Sequence, residues 1–386
     1  MDPKGAAQEQ VSSDRERLIA LSHRLHAHPE IGWQEENASA WLAELLDAAG
    51  FNVERPACGL PTAFVARAGS GPLHVAICAE YDALPDIGHA CGHNIIATAA
   101  AGAGIAAARI ADELGLTVSV IGMPAEELLG TSSGGKIALL ERGAFAGVHA
   151  AMMVHPGPAD VLMPGLIAAT MFDVQCTGTP AHAGAYPHLG VNAADALVVA
   201  QTAVGLLRQQ LRTTDRVHGI VTKGGDAANV IPASTSASFG VRASTIDDLV
   251  DVRDKVFRCF EAGALATGAA LTITGGEKPY GEGRWDAEIS ALFARNAEAL
   301  GRVFRDEPVP ASTDMGNVSH LIPTIHPMLG IDCRPAVNHQ PELTAHTVTE
   351  AGDRAIVDGA TAMAWTIVDL ATVDAVRERL LASVRR

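Results

Sequence analysis

Three short apolar runs, Leu73 to Ala79, Thr117 to Met123 and Val148 to Val154, constrain this chain more than any other feature. Each is rich in Val, Ile, Met or Ala on both faces instead of alternating apolar with polar, as strands covered on both sides of a parallel sheet do. Helical stretches lie between them, Ile95 to Ala111 and Gly135 to Glu141, so an α/β layer with a mostly parallel sheet flanked by helices is expected. Ahead of the first run, Ser13-Asp14-Arg15-Glu16 has capping-box spacing and predicts a helix start, with Met1 to Ser13 left as a disordered tail. A second helix runs from Glu36 to Ala49 and stops at Gly50.

From Thr170 the pattern changes. Strand Thr170 to Cys176, helix Asn192 to Leu211, strands Val217 to Thr222 and Ala233 to Arg242, helix Ile246 to Ala266 and strand Leu271 to Thr274 come in turn. That order, β-α-β-β-α-β, is the ferredoxin-like unit. Beyond Tyr280 the chain returns to helices, Asp286 to Leu300, Asp353 to Leu370 and Val373 to Val384, with an apolar segment, Leu321 to Ile331, among them. The reading is a discontinuous domain, 1–167 and 280–386, carrying an inserted domain at 168–279.

Composition narrows the partners. The 386 residues carry 44 Asp and Glu against 28 Lys and Arg, a net charge of −16, with no basic cluster to neutralise phosphates. Neither a nucleic-acid nor a membrane partner is expected. The Ala-rich stretch Ile95 to Ala108 is shorter than the roughly 20 residues that span a bilayer, and Met1 to Ser13 has no apolar core of a secretion signal. Six widely spaced cysteines in a chain this large read as reduced thiols, hence a cytoplasmic protein.

The chemistry gathers at the C-terminal ends of the three apolar runs. The first leads into Glu80-Tyr81-Asp82, the second into Pro124-Ala125-Glu126-Glu127, the third into His155-Pro156-Gly157, and His89-Ala90-Cys91-Gly92-His93-Asn94 lies between the first two. Ligands of open α/β sheets bind at that edge, and a thiolate, imidazoles and carboxylates on one rim suit a divalent transition metal. Taken alone, Cys91-Gly92-His93 also reads as a tight turn with a buried thiol, and Glu126-Glu127 as a solvated helix N-terminus.

Two other motifs compete. Gly102-Ala103-Gly104-Ile105-Ala106-Ala107 fits a relaxed dinucleotide fingerprint, but inside a helical stretch. Gly130-Thr131-Ser132-Ser133-Gly134 fits a serine-hydrolase elbow with Ser132 as nucleophile, but some residues after the strand end.

Taken together, Arg24-Leu25-His26-Ala27-His28-Pro29-Glu30, Glu80 to Pro85, Gly88 to Asn94, Pro124 to Glu127, Val154 to Gly157, Pro180-Ala181-His182-Ala183, Asn229-Val230-Ile231-Pro232, Ser312 to Ser319 and Asn338-His339 resemble the zinc-dependent amidohydrolase and peptidase superfamily. That superfamily includes glutamate carboxypeptidases, aminoacylases and indole-acetyl-amino-acid hydrolases, and the resemblance is strongest to its aminoacylase-1-like protein 2 branch. The segments occur in the family's order over nearly the whole chain.

The resemblance implies a metal-dependent amidohydrolase acting on N-acyl amino acids or dipeptide-like amides. Cys91, His93, Glu127, His155 and His339 would ligate one or two divalent ions, zinc or manganese, with Glu126 as general base and Asp82 orienting an imidazole. His339 stands ahead of His346 as the C-terminal ligand, with His326 third. His182 resembles the group that reaches the active site, often from a partner subunit, and Asn229 and Arg242 resemble groups that hold the substrate. The inserted domain matches the family's lid and dimerisation domain and so implies a homodimer. Asn94, where many relatives have Asp, and Glu80, where the peptidases have a metal-binding His, leave the ion count at one or two. The alternatives are a serine hydrolase using Ser132 and a binding protein without turnover.

Overall fold

The computed structural model describes residues 2–127, 134–309 and 311–383. The chain opens on a long helix, α1 (Pro3–Ala27), where a disordered tail was expected. The Asp2 carboxylate accepts from the Lys4 N–H at 3.1 Å and caps the helix, with Pro3 in its first turn. Ala6, Ala7 and Val11 are buried, and the Lys4 ammonium lies 2.7 Å from Asp369, so the first turns are held by packing and an ion pair. The Ser13 capping box is therefore helix interior.

Helix α2 (Glu36–Ala48) precedes two strands that the apolar pattern does not announce, β1 (Asn52–Glu54) and β2 (Phe64–Gly69). The expected runs then form β3 (Leu73–Glu80), β4 (Leu116–Met123) and β5 (Ala150–Met152), separated by helices α3 (His93–Ala108), α4 (Ala111–Leu114) and α5 (Gly135–Glu141); β6 (His155–Gly157) comes next. The dinucleotide-like glycines lie within α3: a Cβ on Gly102 would stand 2.7 Å from Leu18 and 3.1 Å from Ala360. Those glycines serve close helix packing.

The inserted unit comprises β7 (Ala168–Thr177), α6 (Ala193–Leu207), β8 (Arg216–Lys223), β9 (Ser234–Ala243), α7 (Ile246–Thr267) and β10 (Ala270–Gly275). Its antiparallel sheet has the order β10-β7-β9-β8, the ferredoxin-like arrangement. Burial alternates along most of β7, and its inward Phe172 meets Phe239 and Phe260 at ring distances of 6.2 and 6.1 Å.

Helices α8 (Ala287–Ala299) and α9 (Met315–Ser319) lead to β11 (Thr324–Ile325) and β12 (Met328–Gly330), and α10 (Pro341–His346), α11 (Glu350–Thr372) and α12 (Asp374–Ser383) complete the chain. By length and composition α11 could cross a membrane, yet most of it is buried against α1, α3 and α8 as a core helix. The main sheet has the order β1-β2-β4-β3-β5-β11, with β4, β3, β5 and β11 parallel and β1 and β2 antiparallel at one edge. In this register Glu80 pairs with Met123, so β3 and β4 deliver the residues after them to the same rim.

Candidate active site

At the end of β4 the backbone turns sharply. Ala125 adopts φ +56°, a left-handed conformation that costs a residue with a Cβ about 1 kcal/mol or more. The buried Glu35 carboxylate accepts from the Ala125 N–H at 2.8 Å, and the Tyr280 hydroxyl donates to the Glu126 carbonyl at 2.7 Å, so the turn is held from both sides. Burial, and after it the Asp82 charge, pushes Glu35 up to about 7. The two glutamates then diverge: Glu126 Oε2 lies 3.8 Å from His93 Nε2, whereas Glu127 lies 3.7 Å from His93 Nε2 and 3.3 Å from His339 Nε2.

Gly92 separates the thiol from the imidazole at φ +79°, where an added Cβ would sit 2.4 Å from the Pro156 ring. Only glycine lets Cys91 and His93 come this close to β6. His93 Nδ1 lies 3.0 Å from Asp82 Oδ1, and the other Asp82 oxygen accepts from the Glu127 N–H at 2.9 Å. One carboxylate thus fixes both an imidazole and a glutamate backbone. His155 Nδ1 donates to the Pro156 carbonyl at 2.8 Å, leaving Nε2 3.5 Å from the Cys91 sulfur. His339 arrives from the far end of the chain at φ +68°, anchored by its N–H to the Ala90 carbonyl at 2.9 Å.

Among the described residues three overlapping donor groups result: Cys91, His93 and His155; Cys91, Glu127 and His339; and Glu80, His93 and Glu126, the atoms of each lying within 4.8 Å of one another. His93 Nε2 and Glu127 Oε1 are buried without a hydrogen-bond partner among the described residues. Orphaned buried atoms are costly, and a converging set of nitrogen, sulfur and oxygen donors is what a divalent transition cation takes, so the residues fit such an ion. Electrostatics agree. Burial, then the Glu80 and Glu127 charges, drives Glu126 well above the usual carboxylate range, and burial also raises Glu127. Burial pushes the Cys91 thiol up and, with His326 next in effect, holds His155 down to about 3. A cation among these groups offsets the repulsion.

Reasoning from sequence missed two residues around this centre, Lys136 and Glu35. Lys136 is fully buried, 2.5 Å from Glu80 and in contact with Asp314, which also accepts from the Lys136 N–H at 2.9 Å. Its signal was a single charge set in the apolar run Gly134 to Leu140. Glu35 announced itself only as an acidic residue before a helix. His326, ranked third as a ligand, belongs to none of the three donor groups but lines the adjoining cavity.

That cavity, of about 450 Å³, is lined by Cys91, Glu126, Glu127, His155 and His339 and also by Arg242 of the inserted unit. Arg242 donates to the Ser312 hydroxyl at 2.9 Å. His182 and Asn229 are exposed and lie apart from the cavity: the Ala183 N–H donates to the Asn229 carbonyl at 3.0 Å, and His182 Nδ1 accepts from Gly184 and Ala185 at 3.2 Å. His346 closes α10 outside the donor groups. Ser132 lies outside the described residues.

A family model described as a peptidase dimerisation domain matches residues 165–267, most of the inserted unit. The chain is 37% identical to the Xaa-Arg dipeptidase of Mus musculus, over 95% of this chain and 88% of that protein. It is 28% identical to the N-acetyl-L-cysteine deacetylase of Bacillus subtilis, over 77% of this chain and 73% of that protein. Among solved structures, a dinuclear metal-binding peptidase of the M20 family from Bacillus subtilis superposes with a TM-score of 0.68 at 22% identity, covering 92% of this chain and 99% of that one. An aminobenzoyl-glutamate utilization protein from Klebsiella pneumoniae gives 0.72 at 18%, covering 92% and 97%; at these identities both report on the fold. With a dipeptidase relative aligned over 88% of its length and a cavity edged by converging candidate metal donors, the chain belongs to the M20 family of metal-dependent amidohydrolases and peptidases.

Proposed function

We propose that this protein hydrolyses the amide bond of a dipeptide or N-acyl amino acid, with Cys91, His93, Glu127, His155 and His339 holding one or two divalent ions, zinc or manganese, and Glu126 acting as general base. The observation that carries this reading is the split of two adjacent glutamates on the wall of one cavity: Glu127 joins Cys91 and His339, while Glu126 stands 3.8 Å from His93 and beside Glu80. When bound, the metal supplies Lewis acidity toward the carbonyl and acidifies water.

The protein's own groups do the rest. Asp82 holds His93 so that Nε2 faces the donor cluster. Glu126 takes a proton from the attacking water and passes it to the departing amine nitrogen. Arg242, steadied by Ser312, binds the substrate's free carboxylate. Two relatives bear the name Xaa-Arg dipeptidase, which makes an arginine dipeptide the first substrate to try. His182 and Asn229 complete the site from the second protomer of a homodimer built through the inserted unit, as the match to a dimerisation domain supports.

The test is an amide-substrate screen on metal-loaded protein with alanyl-arginine and N-acetyl amino acids, beside Glu126→Gln. Hydrolysis abolished by chelator, restored by zinc or manganese, and lowered roughly 10²–10⁴-fold by the substitution at unchanged metal content is expected. Hydrolysis indifferent to chelator would sink the reading.

A further inference from the structure

We propose that His326 is a substrate-contacting residue whose imidazole hydrogen-bonds a neutral carbonyl or amide of the substrate beside the scissile bond; this rests on the amidohydrolase reading above. His326 sits between β11 and β12, at the rim where the parallel strands end, and is 3% exposed. It lines the same cavity as Glu126, His155 and Arg242.

Both of its ring nitrogens are buried, and neither has a hydrogen-bond partner among the described residues. The ring faces are occupied: His326 stacks on His155 at 5.4 Å and 29°, and on Trp285 at 5.5 Å and 22°. Trp285 is itself pinned, its indole N–H donating to the Pro164 carbonyl at 2.7 Å. The stack fixes the ring plane and leaves only the edges, where the nitrogens are, for hydrogen bonding.

A phenyl ring would fill this slot without leaving buried polar atoms unpaired, so packing alone does not account for an imidazole here. Nor does ligation, since among the described residues His326 joins none of the three donor groups. A substrate in the cavity supplies what is missing. An imidazole carries one donor and one acceptor edge when neutral, which suits a carbonyl oxygen or an amide N–H, and the guanidinium for a carboxylate is already present at Arg242. Its position one ring away from His155 puts that contact next to the metal donors, and so beside the bond to be cleaved.

The experiment compares the parent with His326→Phe, which keeps the stack, and His326→Gln, which keeps a hydrogen-bonding edge. Metal per chain, the thermal midpoint of metal-free protein, and kcat/KM on alanyl-arginine are measured. In parallel, alanyl-arginine binding to metal-loaded protein is followed by calorimetry in a Glu126→Gln background. Expected for His326→Phe are unchanged metal, an unchanged or raised midpoint, a roughly 10–100-fold fall in kcat/KM and weaker dipeptide binding, with His326→Gln recovering much of both. Activity and binding within twofold of the parent in His326→Phe overturn the proposal, and loss of metal in that variant overturns it in favour of a brace for His155. A parent that hydrolyses no amide overturns the amidohydrolase reading instead, while the binding comparison still decides the role of His326.

Discussion

Glu35, on the chain segment before α2, accepts a hydrogen bond at 2.8 Å from the backbone of Ala125, the left-handed residue that precedes Glu126. A fully buried carboxylate thus sets the direction of the proposed general base without facing the cavity itself. Glu35→Ala should lower kcat by roughly tenfold or more with little change in KM, because a strained turn loses its anchor. Glu35→Gln keeps an acceptor oxygen and should recover most of the rate. Steady-state kinetics with metal analysis check this, and an Ala variant with parental kcat would refute it.

Lys136 offsets the buried charges of Glu80 and Asp314. Lys136→Met leaves two buried carboxylates without their cation and should cost about 3–5 kcal/mol, read from urea unfolding of metal-free protein. Adding Asp314→Asn should return part of the loss. A loss below about 1 kcal/mol in the single variant would mean that water reaches this cluster.

His182 and Asn229 stand outside the cavity, so a single chain lacks groups that the proposed mechanism uses. His182→Ala should reduce turnover roughly 10²–10³-fold with metal content intact. Mixing it with Glu126→Gln protomers should regain part of the activity, since a mixed dimer rebuilds one complete site. Absence of any recovery after protomer exchange would argue that His182 acts within its own chain.

His74, far from the site on β3, lies 2.7 Å from the Ser119 hydroxyl, and burial, then Arg67 and His149, lowers its pKa to about 4. The unfolded chain therefore binds this proton first, and stability drops as pH falls from 6.5 toward 4, by up to about 3 kcal/mol. His74→Gln keeps a partner for Ser119 and should flatten the denaturation midpoint across that window. A midpoint that falls as steeply in the variant would place the acid sensitivity elsewhere.

The parallel strands and the inserted β-α-β-β-α-β unit were legible because burial on both faces, or on one, leaves a direct mark on residue type. The first turns of α1 were not: Ala6, Ala7 and Val11 among Gly, Gln and Lys show little periodicity, and Asp2 caps a helix whose partners lie at Asn296 and Asp369. Strands β1 and β2 are short and sit at the sheet edge, where apolar runs are weak. The convergence of Cys91, Glu127 and His155 came from their places at strand ends, and His339 from resemblance. Lys136 and Glu35 were overlooked for one reason: each is polar and buried through a contact distant in sequence, and burial of a single polar residue leaves little pattern along the chain; His326 was named only as a third candidate ligand, because its stacking on Trp285 and His155 is equally distant in sequence.

The rim that joins Cys91 and His155 to His339 also dictates when the molecule can mature. At about 5–20 residues per second, His339 leaves the ribosome roughly 10–40 s after His155, and β11, which flanks β5, is late for the same reason. During that interval the inserted unit can fold, but the proposed metal donors wait with an incomplete set and a bare sheet edge. Such a chain should depend on chaperone shelter during synthesis more than its modest size suggests, and any truncation before His339 should yield a protein that folds its middle and leaves its two ends unmatched.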